Sequence, residues 1–124
     1  MNARPQTLAI AFCAGFAAPA SALSYDCAFD VICVEQLSCQ PSDLVVTVRP
    51  AAGDGIILAT GGRDLPARII VDPSREARSF VTDLEFNTIH LLSIFRYGIA
   101  RFTLHTPVQN LQSMTHHGLC EVAQ

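Results

Sequence analysis

Cysteine placement constrains this chain more than any other feature. Cys27, Cys33 and Cys39 repeat as C-x5-C-x5-C near one end, Cys120 stands alone near the other, and Cys13 lies inside an apolar leader. Setting that leader aside turns an odd total of five into an even four, the parity expected of a disulfide framework in an oxidising compartment. Four cysteines allow three connectivities. The preferred one joins Cys27 to Cys120, tying the opening of the mature chain to its close, and Cys33 to Cys39, stiffening a polar connection with little core of its own. A metal site built from the thiolates is disfavoured, because C-x5-C lacks the C-x2-C spacing of structural zinc sites.

The leader itself reads as a secretion signal. Arg4 supplies a positive charge within Met1 to Pro5, and Leu8 to Ala18 is an apolar run of eleven residues, too short for the ~20 needed to span a bilayer. Pro19 ends any helix, and Ala20-Ser21-Ala22 gives the small-x-small pattern of a cleavage site. Cleavage is expected after Ala22, with Ala20 as the alternative. Phe12 is too large to precede a lipidated Cys13, so a lipid anchor is not expected. The expected organisation is therefore a signal peptide over 1–22 and a single secreted domain over 23–124, in the periplasm or outside the cell.

Seven Arg against eleven acidic residues give the mature part a net charge of −4, and the chain has no Lys. This balance offers no electrostatic footprint for nucleic acid or an anionic membrane surface, so neither is expected as a partner.

After residue 23 no helical period persists, whereas short β-branched and aromatic runs recur between turn signals, an all-β pattern. Leu44, Val46 and Val48 share one parity within Asp43 to Arg49, and Pro50 to Gly55 turns the chain. Strands are expected at Ile56 to Thr60, Leu65 to Val71, Ser79 to Glu85, Asn87 to Phe95, Ile99 to Thr106 and Leu111 to Val122. Pro66 belongs at a strand start or edge. Asp72-Pro73 suits the first turn of a short helix, with Asp72 as N-cap. Ala100, Phe102 and Leu104 alternate cleanly with Arg101, Thr103 and His105, so one face meets a core and the other water. Gly118 marks a bulge or a close backbone approach. About seven or eight strands in a chain this short predict a small antiparallel barrel or sandwich.

The residues Tyr25-Asp26-Cys27, the C-x5-C-x5-C run, and Ala100-Arg101-Phe102-Thr103-Leu104-His105 followed by Gly118-Leu119-Cys120-Glu121 resemble a group of small periplasmic proteins of alphaproteobacteria. The likeness covers both ends of the mature chain and not its middle. It implies a secreted, disulfide-bonded β domain and brings no catalytic residue to carry over. A looser likeness links the chain to the periplasmic inhibitors of C-type lysozyme, β-barrels with a cysteine near each end, but their Ser-Gly-x-x-Tyr stretch has no clear counterpart here.

Few residues suggest chemistry. No G-x-S-x-G turn is present to expose a serine nucleophile. Asp83 and Glu85 share a strand face, but nothing in the sequence desolvates them, and they read as solvated. Asp54, between two glycines, lacks the further acids a calcium site needs. His116 and His117 are neighbours and must point to opposite faces of a strand. His90 and His105 are the pair worth testing, since a two-residue loop at Tyr97-Gly98 would set them directly opposite each other, within reach of a shared metal. A three-residue loop would slip this register by one. The leading expectation is a non-catalytic periplasmic binding or protein-interaction domain without a cofactor, for an unknown protein or small ligand. The alternatives are a metal-binding protein or metal-dependent enzyme using His90 and His105, and an inhibitor of a cell-wall hydrolase.

Overall fold

The computed structural model describes residues 24–35, 37–70, 72–83, 87–106 and 112–123. The signal segment, Glu85 and the turn after Thr106 lie outside these residues. Eight strands follow in chain order: β1 (Tyr25–Val34), β2 (Gln40–Pro50), β3 (Ile56–Thr60), β4 (Arg63–Ile70), β5 (Ala77–Thr82), β6 (Ile89–Phe95), β7 (Ile99–Thr106) and β8 (Gln112–Val122). Each pairs antiparallel with the next, and β8 pairs back onto β1, so the sheet closes into an up-and-down barrel. Closure leaves no unpaired sheet edge, the usual liability of an all-β protein.

Alternation along each strand sends one set of side chains inward. Val46 and Val48 from β2, Leu58 from β3, Leu65 from β4, Phe80 from β5, Leu92 from β6 and Phe102 from β7 are fully buried and form the core. The β7 alternation is as the sequence predicts, with Ala100 and Phe102 inside and Arg101 and His105 outside. Pro66 faces outward on β4.

The seam between first and last strands carries two features that only particular residues allow. Cys27 and Cys120 stand directly opposite and are disulfide-bonded in the buried interior, and Cys33 bonds Cys39 at the β1–β2 connection, the preferred pairing. Two residues beyond Cys27, the ladder shifts between Phe29 and Val31, a bulge at Asp30. Gly118 lies opposite Phe29, where a Cβ would run into the carbonyl of Ala28 and come within 2.6 Å of the Phe29 Cα. The glycine is thus a consequence of the bulge, which brings two backbones into contact.

Two local expectations require correction. Asp72 does cap its turn, accepting from the Ser74 N–H at 2.9 Å, but no helix follows, because β5 begins at Ala77 and takes up the chain. The β6–β7 connection is a three-residue turn over Arg96–Gly98, with Tyr97 and Gly98 both at positive φ. It sets His90 opposite Leu104 and Ile89 opposite His105. His90 therefore points into the barrel while His105 is exposed outside, and the two do not share a face.

Candidate binding cleft at the barrel mouth

The interior is not filled to both ends. At the end where β1 starts, the loop after β2 and the loop after β4 flank a cleft of about 590 Å³. That volume falls within the range of small-ligand sites. Its walls are apolar: Ile56 from β3, Ile69 and Ile70 from the end of β4, and Phe80 from β5.

Its one charged floor residue is Arg78. On β5, Arg78, Phe80 and Thr82 have the same parity, and Phe80 and Thr82 are buried, so Arg78 is directed inward at the first position where the barrel opens. Across the mouth its Nη1 donates to the Tyr25 hydroxyl at 2.8 Å, and the guanidinium lies 6.0 Å from the Tyr25 ring centroid. Tyr25 is held in turn against Phe80, with centroids 6.3 Å apart. Arg78 forms no ion pair among the described residues, whereas Arg49, Arg68 and Arg96 pair with Asp64, Asp83 and Glu76. A guanidinium has five donors, and Tyr25 takes one of them.

The loop after β4 shapes the rim. Asp72 accepts from both the N–H and the hydroxyl of Ser74 and from the Ala77 N–H, and these bonds hold its carboxyl below the usual carboxylate range. The carboxylate is thereby occupied within its own loop. The Arg75 N–H donates to the Asp72 carbonyl at 3.1 Å, and Arg75 adopts a left-handed backbone (φ 58°) that brings it to the rim. The opposite loop closes through the Ala51 N–H and the Gly55 carbonyl at 2.8 Å, with Asp54 exposed in the turn.

The other end of the barrel holds two inward histidines. His116 Nδ1 lies 3.1 Å from Ser42 Oγ, and His90 Nδ1 lies 3.3 Å from Thr82 Oγ1. Both rings pack on Phe102, His90 stacked at 5.8 Å and His116 tilted at 6.2 Å. Burial lowers the His116 pKa below its usual value, with a further contribution from neighbouring His117. No carboxylate orients His116 among the described residues, and Ser42 Oγ accepts from the Leu44 N–H at 3.3 Å. Among the described residues no three His, Cys, Asp or Glu side chains converge to hold a metal.

Arg78 and Tyr25 are not among the candidates the sequence offers, since the strand expected from Ser79 starts two residues earlier, at Ala77, and takes Arg78 into the sheet. The signal was an arginine on the apolar parity of a strand, Arg78-x-Phe80-x-Thr82, which alternation alone marks as inward. No protein-family model, curated protein or solved structure matches this chain.

Proposed function

We propose that this is a non-catalytic binding protein of an oxidising extracytoplasmic compartment, and that its mouth cleft takes a small amphipathic anion. The carrying observation is Arg78, a half-buried guanidinium with no carboxylate partner among the described residues, at the floor of an apolar-walled cleft. A charge removed from bulk water on one side and left without a counter-ion favours an anion entering beside it. Apolar walls favour a ligand whose other end is hydrocarbon. Two disulfides in a small barrel, together with the Arg4 to Ala22 leader pattern, support export to the periplasm or beyond.

The test is titration of the mature protein with octanoate and, separately, with octanol, followed by amide NMR. Octanoate is expected to bind saturably and shift the amides of Ile56, Ile69, Arg78 and Phe80, with octanol weaker. Arg78→Gln should weaken octanoate at least tenfold, the scale of one charged hydrogen bond, while leaving octanol unchanged. Equal binding of acid and alcohol, or shifts away from the mouth, would overturn the assignment.

A further inference from the structure

A second surface lies outside the barrel, remote from the cleft. Register places Ile99, Leu119, Ala28 and Val45 as successive cross-strand neighbours on β7, β8, β1 and β2. All four face water, with Ile99 at 44%, Leu119 at 59% and Val45 at 56% exposure. The row is apolar across four strands, and its centre lies in a depression of about 440 Å³ floored by Ala28, Val45 and Leu119.

Carboxylates bound the depression on both sides. Toward the mouth Asp26 and Glu121 stand directly opposite each other on β1 and β8; on the other side the bulge presents Asp30, next to exposed Asp43 on β2. None of these four acids forms an ion pair among the described residues, whereas Asp64, Asp83 and Glu76 each have an arginine. Like charges directly opposite on a sheet are destabilising, so the Asp26–Glu121 pair costs the folded protein stability that a cationic occupant would restore. The basic groups nearby, Arg101 and His117, sit opposite each other two residues from Ile99 and Leu119, on the Asp30 side of the row, where His117 pairs with Val31; the mouthward Asp26–Glu121 side has no such neighbour on β1 or β8 among the described residues.

We infer that this apolar row with its acidic border is a docking face for a cationic protein segment that lays aliphatic or Lys and Arg stems on Leu119, Ala28 and Val45 and places its positive heads against Asp26, Glu121, Asp30 and Asp43. Basic side chains suit such a border because their methylene stems cover apolar surface while the head reaches a carboxylate. A second copy of this chain is the poorer occupant, since pairing the face with itself sets acids against acids.

The probe is a synthetic peptide of alternating Leu and Lys, compared with one of alternating Leu and Glu, each titrated into the mature protein at low and moderate salt. The Lys peptide is expected to bind saturably, shift the amides of Ala28, Val45 and Leu119, and weaken as salt rises, while the Glu peptide does not bind. Asp26→Asn with Glu121→Gln should weaken the Lys peptide about tenfold and raise the melting temperature, because the opposed charges are gone. Leu119→Ser should weaken it without lowering the melting temperature, since Leu119 is exposed. Absence of binding, equal binding of both peptides, shifts confined to the mouth, or self-association of the protein abolished by Leu119→Ser would each overturn the inference.

Discussion

His116 on β8 and Ser42 on β2 meet inside the barrel, Nδ1 to Oγ at 3.1 Å across 74 positions of sequence. Ser42 Oγ accepts from the Leu44 N–H and keeps both its proton and a second lone pair for the His116 ring, so it can partner either neutral tautomer. This arrangement accommodates the neutral imidazole, and burial lowers the His116 pKa in the same sense. A histidine with a lowered folded pKa binds fewer protons folded than unfolded. Its contribution is therefore fully present above about pH 6.5, the unfolded value, and is lost as pH falls from there toward the lowered folded value. Urea denaturation at pH 7.5 and 5.5 should show lower stability at the acidic pH, and His116→Gln should lose less between the two. An equal loss in the variant would remove His116 as the cause.

Gly118→Ala should be among the most damaging single changes. The added methyl meets main chain of Ala28 and Phe29, which cannot rotate away as a side chain can. A loss of about 3 kcal/mol is expected, the upper end of ordinary overpacking. Gly53→Ala is the comparison: φ is +71° but no atom lies within 4 Å, so the cost is about 1 kcal/mol from backbone strain alone. Thermal unfolding of the two variants checks the order.

Phe102 and Thr103 test the facing of β7. Phe102 is 1% exposed and touches Phe29 and both inward histidines, so Phe102→Ala should cost about 3 to 5 kcal/mol. Thr103 points outward, its hydroxyl 3.5 Å from that of Thr115; Thr103→Ala should change stability by about half a kcal/mol. Denaturant titrations of both variants decide it, and a larger effect at Thr103 would reverse the faces.

The two disulfides should contribute unequally. Cys27 and Cys120 are 93 positions apart and close the seam, whereas Cys33 and Cys39 are 6 apart. Loop-closure entropy then gives about 4.7 kcal/mol for the first and about 2 for the second. Melting temperatures of the paired Cys→Ala variants should fall in that order.

Alternation made much of the barrel readable beforehand. In β2 and β7 the apolar residues fall on one parity except for Val45 and Ile99, so only one facing buries the larger apolar set, and the sequence by itself determined which side chains go in. The cysteine parity and the small size of the domain likewise pointed to a cross-linked β fold. β6 was different, because Leu91, Leu92, Ile94 and Phe95 put apolar side chains on both parities. Either register buries a hydrophobic set, and the choice falls to the β6–β7 connection, where three residues rather than two turn the chain and send His90 inward, away from His105. The mouth was also beyond local reading. Arg78 meets Tyr25 only because β5 and β1 curve round to one end of a closed sheet, and the apolar row from Ile99 to Val45 exists only once β8 pairs with β1. Residues far apart in the chain acquire a shared environment through closure, and periodicity, which reports the environment of one strand at a time, carries no information about it.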